Sequence, residues 1–65
     1  MMRTYKVLIA PSGGDSTVPR QIDVEAEYFQ IDQGGVLVFY RLDAGTDRAF
    51  RAVARGKWLT VEEAA

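Results

Sequence analysis

Residues 27–42, EYFQIDQGGVLVFYRL, restrict what this chain can fold into more than any other stretch. Two runs rich in β-branched and aromatic residues flank the polar sequence Asp32-Gln33-Gly34-Gly35. Adjacent glycines can take the positive φ that a tight strand reversal needs, so the segment reads as a β-hairpin. It holds most of the large side chains: Tyr28, Phe29, Ile31, Val36, Leu37, Val38, Phe39, Tyr40 and Leu42. The second run is apolar on both faces, which suits a strand covered on both sides or placed at an interface. Val36, Val38 and Phe39 are therefore the candidate interface residues.

The flanking segments read as further strands. In residues 3–10, Tyr5, Val7 and Ile9 share one face by the period of two, and Lys6 and Leu8 take the other. Pro11 ends that strand, and the Ser/Gly-rich residues 11–19 form a loop. Along residues 20–31, Ile22, Val24 and Ala26 alternate with Asp23, Glu25 and Glu27. Phe29 and Ile31 then fall on the face that carried the acids. A partly buried sheet cannot accept such a slip, so a bulge or sharp bend is expected near Glu27-Tyr28.

Residues 43–47, DAGTD, form a second turn. Beyond it two readings compete. As a helix over 47–55, the segment has Asp47 as N-cap, Gly56 after the end, and Ala49, Phe50, Val53 and Ala54 as an apolar stripe. As a strand over 48–54, it folds back onto 36–42. Residues 57–63 read as a closing strand with Leu59 and Val61 on one face.

Sixty-five residues make one small domain. A domain of this size buries only about 60% of the surface its unfolded chain exposes. Small folds usually recover stability from disulfides, a metal or a partner. There is no cysteine and no histidine, so disulfides and the familiar thiolate or imidazole metal sites are excluded. Packing and association remain, which points to a homo-oligomer or a complex with another protein. Eight basic and nine acidic residues give a net charge of −1, so no strong electrostatic preference governs the whole molecule. The apolar runs are too short to span a bilayer and no signal-like segment opens the chain, so a cytoplasmic protein without membrane contact is expected.

Catalytic signals are weak. General acid–base chemistry near neutrality favours histidine or cysteine, and both are absent. Asp23, Glu25 and Glu27 line a strand face, but that spacing also belongs to the solvated side of an amphipathic strand. SGGDST lacks the lysine and following helix of a phosphate-binding loop. Asp43 and Asp47 supply too few oxygens for calcium. No enzyme activity, cofactor or metal is expected. The one chemically suggestive grouping is Tyr40, Arg41, Arg48, Arg51, Arg55, Lys57 and Trp58. Cations interleaved with aromatics on a small barrel can grip a nucleic-acid strand by phosphate contacts and base stacking.

The run GGVLVFYRL, a polar turn and then AVARGKWLTVEE resemble short uncharacterised proteins of high-GC Gram-positive bacteria and their phages. Those proteins close with a segment of the form Ala-Phe-Ala-Pro-Gly-x-Trp. Here Val53 takes the place of the Phe and Arg55 that of the Pro, while Gly56 and Trp58 match. The likeness spans residues 22–63, implies a strand over 48–54, and implies no activity.

The expected fold is all-β: a four- to five-stranded antiparallel meander, strongly bent, with a small SH3-like barrel as its closed form. A short helix near 47–55 is the alternative. The expected function is a non-catalytic, self-associating interaction or assembly module. The alternative is a nucleic-acid-binding small barrel that uses the arginine-rich half.

Overall fold

The computed structural model describes residues 2–11 and 18–64, and the phosphate-loop-like SGGDST at 12–17 lies outside them. The described chain is all-β. Its strands are β1 (Arg3–Ile9), β2 (Arg20–Ala26), β3 (Tyr28–Ile31), β4 (Leu37–Asp43), β5 (Thr46–Val53) and β6 (Trp58–Glu63). They form two antiparallel three-stranded sheets, in the orders β2-β1-β6 and β3-β4-β5. Among the described residues no ladder joins the two sheets, so they do not close into a barrel. Six strands stand where four or five are expected, partly because the run 20–31 breaks at Glu27.

That break is the bend the slipped alternation calls for. Ala26, on the inner face of β2, is fully buried, and Phe29 of β3 turns back toward the same core. The Tyr5 ring meets Phe29 edge-on, with centroids 5.2 Å apart, and its hydroxyl donates a long 3.5 Å hydrogen bond to the Glu27 carbonyl. The Glu27 N–H donates to the Tyr40 carbonyl at 2.9 Å. One extended run therefore supplies an edge strand to each sheet.

The core lies between the two inner faces. Tyr5, Val7, Val24 and Ala26 come from one sheet and Leu37 and Phe39 from the other, with Ile9, Ile22, Phe29, Val53, Trp58 and Val61 half-buried around them. Burying a side chain the size of Val, Leu or Phe contributes about 1.5–3 kcal/mol, so five large side chains and Ala26 leave little reserve. Trp58 closes one end of the core. Its indole Nε1–H donates to the Gly35 carbonyl at 3.0 Å, tying β6 of one sheet to the β3–β4 turn of the other.

The helix alternative over 47–55 is corrected: Thr46–Val53 is a strand paired along β4. Its helix-like spacing comes from a bulge. Phe39 pairs with Arg51 and Tyr40 with Ala49, which leaves Phe50 as the extra residue. A second bulge does the same in β6, where Leu8 pairs with Thr60 and Ile9 with Trp58, leaving Leu59 over. Leu59 is exposed, so the inward positions of β6 are Trp58 and Val61 rather than Leu59 and Val61.

The turns follow local chemistry. Asp32 Oδ1 accepts from the N–H groups of Gly34 at 2.8 Å and Val36 at 3.0 Å, and so orders the β3–β4 turn. Gly35 in that turn has φ 85°. The β4–β5 reversal is shorter than the sequence suggests. Asp43 pairs with Thr46, so only Ala44 and Gly45 remain between the strands, at φ 52° and 80°. Two successive positive φ values define the mirror-image turn that suits strand twist.

Candidate interaction surfaces

The sheet β3-β4-β5 presents two different uncovered surfaces, and alternation along β4 separates them. Leu37 and Phe39 point into the core, so Val38, Tyr40 and Leu42 point away from it. Their cross-strand neighbours extend this outer face. Val38 lies opposite Gln30 and Ala52, Tyr40 opposite Tyr28 and Ala49, and Leu42 opposite Asp47. The rings of Tyr28 and Tyr40 stack with centroids 4.9 Å apart and planes 11° from parallel. The Tyr28 hydroxyl donates to Asp47 Oδ2 at 2.9 Å, which occupies the one carboxylate among these residues. Partial desolvation raises the Tyr28 pKa, and the hydrogen bond to Asp47 and that carboxylate's charge raise it further. The result is a flat, mostly apolar face with a polar border.

The second surface lies on the opposite side, where the β4–β5 hairpin runs past the core as an arm. Every residue from Arg41 to Ala52 is exposed. Arg41 and Arg48 face each other across the strands, and Arg51 lies opposite Phe39 on the same side. The Arg41 guanidinium sits 5.2 Å from the centroid of the bulged Phe50 ring. Arg48 makes a solvent-exposed ion pair with Asp43 at 3.4 Å, an arrangement that contributes little stability. Like charges opposed on a sheet are unfavourable, so this arm carries an electrostatic cost that an anionic neighbour would relieve.

The seven-residue cation–aromatic grouping is only partly assembled. Arg41, Arg48 and Arg51 share the arm. Tyr40 lies on the other face of the same sheet, stacked on Tyr28. Arg55 lies in the turn between β5 and β6, where its aliphatic stem approaches Gly35, and Lys57 closes that turn with its N–H on the Ala54 carbonyl at 3.0 Å. Trp58 is half-buried against the core with its indole N–H engaged. Its ring belongs to the core boundary, away from the arm. Phe50 is the aromatic actually placed among the arginines, and a helical reading of 47–55 hides it by assigning it to an apolar stripe.

Among the three candidate interface residues, Val38 lies on the outer face and Val36, half-buried, precedes β4. Phe39 requires correction. It is fully buried between the sheets and cannot offer its side chain to a partner.

The outer face of the sheet β2-β1-β6 is polar. Lys6 is flanked by Asp23 on β2 and Glu62 on β6, with Glu25 opposite Thr4 in the next row. Beside them is a shallow depression of about 220 Å³ lined by Lys6, Leu8, Gln21, Thr60 and Glu62. Asp23, Glu25 and Glu62 are exposed, and no polar or charged residue among the described ones is buried. No group of three or more acidic residues among the described ones is arranged to hold a metal ion. No helix among the described residues is long and apolar enough to cross a membrane. Comparison with protein-family models, with curated proteins and with solved structures finds no match.

Proposed function

We propose that this small all-β protein is a non-catalytic assembly module that associates with itself through the outer face of β3-β4-β5. The observation that carries the reading is the two-sided character of β4. Leu37 and Phe39 supply the core, while Val38, Tyr40 and Leu42 extend an apolar surface with Tyr28, Ala49 and Ala52 on the other side. Face-to-face packing of sheets at about 10 Å is the usual way such a surface is covered. A core of six buried side chains gives the chain reason to gain stability from a second copy. The cysteine-free composition supports a cytoplasmic setting, and the resemblance of residues 22–63 supports a bacterial or phage source.

Light scattering on a sizing column tests the reading with wild type, Val38→Glu and Leu42→Glu. Wild type is expected above the monomer mass. Each variant should lower that mass while retaining the strand signal in circular dichroism, because both side chains point away from the core. Phe39→Glu should unfold the chain instead. Unchanged mass in both outer-face variants would refute the proposed interface, and a wild-type monomer at all concentrations would refute self-association.

A further inference from the structure

Resting on the self-association reading, we infer that the β4–β5 arm makes a second contact, docking its arginine face on the acidic outer face of β2-β1-β6 of another copy. Both halves of this contact are present in one chain. The arm offers Phe50, the extra residue at the bulge and partly exposed, with the Arg41 guanidinium against its ring and Arg48 and Arg51 at neighbouring pairing positions. The other sheet offers a shallow depression containing Leu8, with Glu62 on its rim and Asp23 and Glu25 close by on β2. Lys6 is the single cation on that face, and Asp23 and Glu62 flank it on both sides. The carboxylates Asp23, Glu25 and Glu62 thus outnumber it, as the three arginines outnumber Asp43 on the arm. An aromatic ring seated on Leu8 brings the two sets of opposite charge together around an apolar centre. That arrangement, a desolvated anchor within a polar rim, is how contacts gain both affinity and orientation.

A second copy fits the arm better than a nucleic-acid strand. Phe50 is the one ring beside these arginines, so successive bases would find no second platform there: the other candidate stacking rings, Tyr40 and Trp58, lie elsewhere. The contact joins two different surfaces, so it is heterologous. It can be repeated, and it joins the pairs formed through the outer face of β3-β4-β5 into larger species.

Two charge reversals at exposed positions test this. Arg41→Glu with Arg51→Glu reverses the arm and places a carboxylate opposite Arg48. Glu25→Lys with Glu62→Lys reverses the acidic face and leaves Asp23 beside Lys6. Sedimentation velocity of wild type at low ionic strength should show species larger than the pair, reduced to the pair by added salt. Each reversal alone should weaken formation of the larger species by roughly tenfold or more, and an equimolar mixture of the two should restore it. Phe50→Ala, which changes no charge, should weaken it as well.

Masses unaffected by either reversal, with Val38→Glu still dissociating the pair, would overturn the arm contact and leave the proposed function standing. A wild type that never exceeds the pair would do the same. A monomer under every condition would overturn both. A labelled oligothymidine strand serves as the competing probe. Its binding, lost on arm reversal but retained on face reversal without any effect on mass, would assign the arm to nucleic acid and overturn the inference.

Discussion

Ala44 is the least comfortable residue in the described backbone, and its replacement by asparagine should stabilise the protein. It sits at φ 52°, the only non-glycine with positive φ among the described residues. For an L-residue the left-handed region costs roughly 1–2 kcal/mol, and asparagine lowers that cost because its short amide can hydrogen-bond locally. Ala44 is exposed at the tip of the arm, so no packing is lost. Ala44→Asn creates the Asn-Gly pair that this turn favours, and a gain of about 0.5–1 kcal/mol follows. At roughly 4–8 °C per kcal/mol for a domain of this size, Tm should rise by about 2–8 °C. Ala44→Gly should gain less, because freeing the unfolded chain offsets about 0.4–1 kcal/mol of the relief. Ala44→Val should destabilise, since a branched side chain tolerates positive φ poorly. Thermal unfolding followed by circular dichroism, with urea midpoints as a check, measures all three. A neutral or destabilising Ala44→Asn together with a tolerated Ala44→Val would refute the two-residue turn.

Two further outcomes probe the joints of the molecule. Trp58→Phe keeps an aromatic ring at the core boundary but removes the donor to the Gly35 carbonyl, and should lower unfolding free energy by about 1–2 kcal/mol. An unchanged urea midpoint would show that this bond does not hold the sheets together. The Tyr28 hydroxyl donates to Asp47 and its pKa is raised, so the bond is intact below the ordinary tyrosine value of about 10 and is lost as pH climbs through the raised one. Asp47→Asn should move the Tyr28 titration back toward that ordinary value, read from phenolate absorbance. A titration that does not move would remove Asp47 as a cause.

The strands were legible in the chain, including those at 48–54 and 57–63, but the facing of residues in the two that carry bulges was not. In β1 and β2 every second residue faces the core, so Tyr5, Val7, Val24 and Ala26 announce their burial. The bend at Glu27 was equally legible, because a partly buried sheet cannot absorb a slip in any other way. In β5 the extra residue at Phe50 converts a period of two into the spacing of Phe50 and Val53 that a helix would also show. Leu59 misleads for the same reason in β6. The candidate site suffered most from this ambiguity. Which arginines share a face depends on the bulge, and pairing position cannot be deduced from residue types. Tyr40 and Trp58 joined the grouping by proximity in sequence, whereas strand alternation and the fold separate them.

The crossed connectivity of the two sheets sets an order of events during folding. β3, β4 and β5 are successive hairpins, and their turns carry their own instructions in Asp32, Ala44 and Gly45. They can assemble from neighbouring segments within microseconds. β6, although it follows directly after β5, leaves that sheet and pairs with β1, bringing Arg3 and Glu63 together across 60 positions. The entropy of closing so large a loop is met before any of its contacts form. β1 and β2 pair locally, so the closing of β6 onto β1 is the slow and late step that completes the sheet β2-β1-β6. Until it docks, the inward face of Leu37 and Phe39 is as bare as the outward face of Val38 and Tyr40. During that interval both sides of β4 are open, and only the inward one has a covering surface within its own chain.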